Sequence, residues 1–147
     1  MEIILAENHG FCYGVKRAVE MANEAADSDG KSYTLGPIIH NPQVVGRLES
    51  KGVSPIQEVA DIDEGTMIIR SHGVGPAIYE EAEEKGLNIL DATCPHVKKA
   101  QQDAKSVIED GMTLVILGEK NHPEVKSINL WANNKGIIIE NEESAKN

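Results

Sequence analysis

Apolar positions recur along the chain with two periods. Short β-branched runs at Ile3 to Ala6, Tyr33 to Leu35, Val53 to Ile56, Met67 to Ile69, Leu87 to Leu90, Thr113 to Leu117 and Ile137 to Ile139 each predict a strand. Between them the spacing becomes helical: Val15, Ala18, Val19, Ala22, Ala25 and Ala26 share one helix face, and Val97, Ala100, Ala104, Val107 and Ile108 share another. Proline tolerates the first turn of a helix and glycine tolerates the left-handed stop, so the pairs Pro42/Gly52, Pro76/Gly86 and Pro95/Gly111 bracket helices. Pro123 opens a further one, with Gly136 ahead of the next strand. Strands alternating with helices of this length predict an α/β fold of small, mainly parallel sheets covered by helices. No linker or low-complexity segment divides the chain, and the polar tail "ENEESAKN" supplies no closing element.

Composition narrows the function classes. The 147 residues are 40% hydrophobic, enough for a buried core. With 14 Lys and Arg against 24 Asp and Glu, the net charge is -10 and the bases are scattered, so neither nucleic acid nor an acidic membrane surface is an expected partner. No apolar run approaches the roughly 20 residues a membrane helix needs, and the start "MEIILAENHG" lacks the pattern of a signal peptide. The expected location is the cytoplasm, where Cys12 and Cys94 would be buried hydrophobes or chemical groups instead of a structural disulfide.

The reactive residues fall at related places. In open parallel sheets ligands collect beyond the carboxyl ends of the strands, where loops lead into helix N-termini. Cys12 follows "EIILA", His40 follows "YTLGPII", His72 follows "MIIRS", Cys94 follows "NILDAT" and His122 follows "LVILGEKN". These are five of the chain's seven Cys and His residues, and the topology can bring them to one edge. Helix N-termini offer free N–H groups and partial positive charge, which favour thiolates and phosphates. Cys94-Pro95 and His122-Pro123 have that arrangement, and local geometry leaves open whether the thiol binds a metal or attacks carbon. His9 and His96 read as surface or hydrogen-bonded residues, "YEEAEEK" as a solvated helix face, and "SHGVG" lacks the lysine of a nucleotide-binding loop. Taken alone, Glu124 reads as an acid complementing the first turn of its helix.

Taken together, "GFCYGVKRA", "IIHNPQVV", "RSHGV", "DATCPHV" and "NHPEV" resemble, in order and over nearly the whole chain, the 4-hydroxy-3-methylbut-2-enyl diphosphate reductase family. The resemblance implies a three-lobed α/β fold around a 4Fe–4S cluster held by a cysteine from each of three positions, of which Cys12 and Cys94 match two. It also implies that His40, His72 and His122 bind the substrate's diphosphate and that Glu124 delivers a proton. The implied activity is reductive dehydroxylation giving isopentenyl and dimethylallyl diphosphate in the non-mevalonate pathway, with an allylic diphosphate as substrate and an electron-donating redox protein as partner.

The chain departs from that pattern in two ways. Family members are longer, and their third cysteine has no counterpart here, so the expected architecture is a first lobe over 1–94 and an incomplete second lobe over 95–147. Residues 1–12 are a candidate to pack with a third lobe. No cluster, or only a labile one, and little reductase activity are expected of this chain alone, with self-association possible through an unpaired sheet edge. The second departure is Ser127, where the family has glycine after "NHPEV". Two other function classes stay open on the residues alone. One is a zinc-dependent hydrolase using the cysteines and histidines, against which the lack of a closely spaced ligand pair argues. The other is a non-catalytic phosphate-binding or assembly module with inert cysteines.

Overall fold

In the computed structural model, elements run in the order α1 (Tyr13–Ala26), β1 (Ser32–Leu35), α2 (Pro42–Ser50), β2 (Val53–Ile56), β3 (Thr66–Ile69), α3 (Pro76–Glu84), β4 (Asn88–Asp91), α4 (Pro95–Glu109), β5 (Val115–Leu117), α5 (Pro123–Trp131) and β6 (Ile137–Ile139). A single 3-10 turn, Val59–Asp61, precedes β3. The structure describes residues 2–7 and 9–146. Met1 and Asn147, the outer ends of the two expected lobes, and Asn8, in the loop ahead of Cys12, lie outside the described residues.

Every strand pairing is parallel. A four-stranded sheet has the order β2-β1-β3-β4, with Ser32 beside both Val53 and Thr66, and Thr66 beside Asn88. A second sheet pairs β5 with β6, Val115 beside Ile137. The centre of the larger sheet explains its continuous apolar sequence. In β3, Ile68 joins a core cluster with Ala18, Ala22, Leu48 and Val53, while its neighbours Met67 and Ile69 join another with Val59, Ile62, Ala82 and Leu87. Alternate side chains of one strand thus seed the core on opposite sheet faces, as the two-residue period requires. Helices α1 and α2 contribute to the first cluster and α3 to the second.

The predicted elements form within a residue or two, with two exceptions. The expected strand at Ile3 to Ala6 has no strand partner among the described residues, and Ile3, Ile4 and Leu5 are 74%, 84% and 73% exposed. β-branched composition favours a pleated surface, but a strand exists only where a neighbour accepts its backbone hydrogen bonds. On α4 the buried face is Val97, Gln101 and Ala104, so a glutamine stands where Ala100 was expected to pack. As expected, Pro123 opens α5 and Gly136 precedes β6; α5 ends at Trp131, after which Asn133 and Asn134 take left-handed backbone (φ 53° and 57°). Asparagine tolerates that region better than other side chains, so it supplies the stop.

In the smaller sheet Ile116 is buried while Val115, Leu117 and Ile137 are exposed. Among the described residues no helix is long and apolar enough to cross a membrane.

Candidate active site

His40, His72, Cys94 and His122 lie where a strand hands the chain to a helix, and Cys12 lies directly ahead of α1. Cys12, Cys94 and His122 are the N-caps of α1, α4 and α5, and Pro95 and Pro123 begin the last two. Proline's missing N–H costs nothing in the first turn, so these helices start directly after the reactive residue. His40 precedes Asn41, whose side-chain oxygen accepts from the Gln43 and Val44 amides at 3.1 and 3.2 Å and caps α2.

Loop 71–75, after β3, ties these junctions together. The Ser71 amide and hydroxyl both donate to the Ile38 carbonyl, at 3.3 and 3.2 Å, and the Cys94 amide donates to the Ser71 carbonyl at 2.9 Å. The Trp131 indole N–H donates to the Val74 carbonyl at 2.9 Å, docking α5 on the same loop. Gly73 has φ 71°, and a Cβ there would lie 2.4 Å from Gln101 Nε2 and 3.0 Å from Thr93 Cγ2, so both conformation and space require glycine. Ser127 is buried, its hydroxyl 2.8 Å from the His72 carbonyl and 2.9 Å from that of Glu124, and it accepts from Gln101 Nε2 at 3.3 Å. In place of the expected glycine, this serine fastens α5 to the His72 loop.

The three histidines of the strand–helix junctions meet. Ring centroids lie 4.5 Å apart for His40 and His72, 5.8 Å for His72 and His122, and 6.2 Å for His40 and His122. His72 and His122 are half-buried, and His72 Nδ1 is buried with no hydrogen-bond partner. Burial first, then the fields of His40, Arg70 and His122, lowers its pKa from 6.5 to about 4, leaving it neutral at pH 7. His122 Nδ1 accepts from the Glu124 amide at 3.2 Å, which puts the proton of its neutral ring on Nε2. A cluster of imidazoles with an unsatisfied buried nitrogen suits an anion that accepts N–H bonds and brings protons with it.

Beside the imidazoles lies a pocket of about 210 Å³ lined by Cys12, Val15, Ser71, His72, Cys94, His96, Val97 and Glu124. Both thiols, the carboxylate and two imidazoles, those of His72 and His96, therefore share one recess. His96, read from sequence as a bystander, is on its wall. His9 is exposed outside it, its Nδ1 2.8 Å from the Ala6 carbonyl. Both cysteines are free.

Two residues that sequence reasoning passed over hold the thiols in register. Gly14, in the first turn of α1, packs so closely on Cys94 that a Cβ would come 2.4 Å from its Sγ. Arg17, a turn further on, donates to the Thr93 and Asp91 carbonyls at 3.2 and 3.4 Å, clamping α1 to the segment that delivers Cys94. The Asp91 side chain braces that segment as well. Burial alone would raise its pKa, but hydrogen bonds from Lys98 and the Thr93 amide hold it below the usual carboxylate value. Their only sequence signal is their place inside "GFCYGVKRA" and "DATCPHV".

A family model described as LytB protein matches residues 3–147. The chain belongs to the LytB family. It is 52% identical over 147 residues to a protein of Geotalea uraniireducens named 4-hydroxy-3-methylbut-2-enyl diphosphate reductase, covering 99% of this chain and 52% of that protein. A protein of the same name from Caldanaerobacter subterraneus is 49% identical over 152 residues, covering 100% of this chain and 53% of that protein. A solved structure of (E)-4-hydroxy-3-methyl-but-2-enyl diphosphate reductase, described as the terminal enzyme of the non-mevalonate pathway, superposes with TM-score 0.83 at 49% identity, over 96% of this chain and 52% of that one. The reductase structure from Plasmodium falciparum gives TM-score 0.91 at 32% identity, over 95% and 45%. This LytB-family chain thus spans about half the length of the curated relatives it matches.

Among the described residues no three His, Cys, Asp or Glu side chains are arranged to hold a metal ion. That arrangement does not favour the zinc hydrolase. An iron–sulfur cluster asks for something different, thiolates that are soft, unbridged and aimed into one recess. Cys12 and Cys94 meet that requirement as two members of a ligand set: neither forms a disulfide, neither side chain caps its helix, and both line the same pocket.

Proposed function

We propose that this chain carries two cluster ligands, the diphosphate-binding imidazoles and the acid of a 4-hydroxy-3-methylbut-2-enyl diphosphate reductase. The observation that supports this most directly is the convergence of Cys12, Cys94, His72 and Glu124 on one pocket, with His40 and His122 against His72. In this reading Cys12 and Cys94 hold part of a 4Fe–4S cluster, with Gly14 and Arg17 setting their spacing. When bound, such a cluster supplies single electrons and an open iron that polarises a hydroxyl oxygen.

The chain's own residues do the rest. His40, His72 and His122 donate N–H bonds to the diphosphate oxygens, and protonation of the ring that is neutral in the free site follows the arrival of that charge. Glu124, on the pocket wall with both thiols, holds a proton for the departing hydroxyl, so that oxygen leaves as water instead of hydroxide. The overall change consumes two electrons and two protons per hydroxyl lost as water and leaves isopentenyl or dimethylallyl diphosphate. The electrons come from a redox protein partner, and the reaction runs in the cytoplasm. The lobes proposed are 1–94 and 95–147, meeting at Cys94, with the β5–β6 edge available for association.

Dibromobimane, which fluoresces when it bridges two neighbouring thiols, tests the convergence without needing iron. The expected result is cross-linked fluorescence that disappears in Cys12→Ser and in Cys94→Ser; no cross-link in the folded native chain would end the reading. Anaerobic addition of iron and sulfide supplies the second readout, a brown absorbance dependent on the same two residues.

A further inference from the structure

A separate cleft of about 350 Å³ opens between the large sheet and α5, lined by Gly36, Gln57, Arg70, Gly73, Asn121 and Lys126 among others. Its volume is that of a small-molecule site. The chain has 24 Asp and Glu against 14 Lys and Arg, yet none of those acids lines this cleft, while two of its bases do. Neither base is paired: no ion pair among the described residues involves Arg70 or Lys126. Arg70 Nε is buried and makes no hydrogen bond.

A half-buried guanidinium without a partner is costly, because its Nε–H has been taken out of water and no acceptor replaces it. The backbone nevertheless makes room for it. Gly36 has φ 71°, and a Cβ there would lie 2.6 Å from Arg70 Nη1, so a glycine in left-handed conformation keeps the guanidinium at the cleft. Side-chain amides at Gln57 and Asn121 and the hydroxyl-bearing Ser127 add further polar lining. The planar fork of an arginine is matched by carboxylate or phosphate oxygens, and a second cation beside it raises the preference for an anion.

We propose that this cleft binds a small oxyanion-bearing molecule, with Arg70 as the recognising fork and Lys126 as the second charge. The site is distinct from the imidazole cluster and does not depend on the reductase reading. It takes a phosphate or a carboxylate compound of the size of a central metabolite.

Titration of the 147-residue chain with inorganic phosphate, and separately with citrate, followed by nitrogen–proton NMR tests it. The Arg70 Nε–H signal and the Gly36 and Gly73 amides are expected to shift saturably with at least one of the two, and whichever binds tenfold or more tightly identifies the class. Arg70→Met should abolish those shifts and raise, or leave unchanged, the Tm measured without anion. Shifts confined to the histidines, no saturable shift with either compound, or a Tm of Arg70→Met lowered without anion would each overturn the proposal, the last by showing that the guanidinium already has a structural partner.

Discussion

Two recesses are built on the same stretch of backbone, residues 70–75, and they differ in kind. Ser71 and His72 line the smaller one with Cys12, Cys94 and Glu124; Arg70, Gly73, Val74 and Gly75 line the larger one with Lys126. The first is made of groups that can gain or lose a proton or bind a soft metal. The second is made of fixed positive charge, since arginine does not deprotonate in proteins. Reactive chemistry needs groups whose state changes during the reaction, whereas holding an anion needs only charge that stays. Adjacent segments of one loop thus serve two different electrostatic purposes.

Gly73 is where the two recesses depend on each other. Gly73→Ala puts a side chain at φ 71° and against Gln101 and Thr93, so strain and overpacking together cost about 2–5 kcal/mol. Both anion responses, at the histidines and at Arg70, should disappear along with a large fall in Tm; survival of either would show that the recesses are set independently. Gly14→Ala should separate them. Its Cβ would displace the Cys94 thiol, a movable group, so stability falls by only about 1–3 kcal/mol while dibromobimane bridging is lost at least tenfold and the Arg70 response is untouched. Retained bridging would mean that the thiols do not depend on the α1 contact.

The smaller recess was legible in the sequence and the larger one was not, for a physical reason. Strand–helix junctions announce themselves through proline, glycine and the change of period, and parallel topology sends all junctions to one edge, so His40, His72, Cys94 and His122 could be grouped before any coordinates. Arg70 and Lys126 lie in a β-strand exit and a helix face where a lone base is ordinary; only the packing of α5 on loop 71–75 brings them together. Gly14, Arg17 and Gln101 were missed similarly, because a close approach or a buried amide leaves no periodic trace. The failure at Ile3 to Ala6 runs the other way: its pattern suits a strand, but pairing is a property of neighbours, and none is present among the described residues.

Acidity should separate the recesses more gently than the glycine substitutions. The folded pKa of His72 is about 4 against 6.5 in the unfolded chain, so as pH falls the unfolded state takes up the proton first. The stability associated with this neutral ring is complete above pH 6.5 and is lost as pH falls towards about 4. Thermal melts should show a steeper loss of Tm across that window for the native chain than for His72→Asn, whose side chain does not titrate. Parallel curves would place His72 in water. Pyrophosphate binding at the histidine cluster should tighten over the same window because a protonated His72 attracts it, whereas sulfate binding at Arg70 should stay nearly flat.

The smallest expected effect comes from Ser127, which touches both recesses: its hydroxyl supports the His72 carbonyl, and its residue lines the Arg70 cleft. One hydroxyl proton serves two carbonyls, so Ser127→Ala removes about one net hydrogen bond and leaves the buried Gln101 amide short of an acceptor, together about 1–2 kcal/mol. Because the His72 carbonyl sits on the backbone of the imidazole's own residue, the loss should loosen the histidine cluster before the cleft. Pyrophosphate affinity should fall several-fold while phosphate or citrate affinity at Arg70 changes by less than twofold. Equal weakening at both would mean that Ser127 simply packs α5 against the loop, and the hydroxyl's two carbonyl contacts would then carry no preference between the recesses.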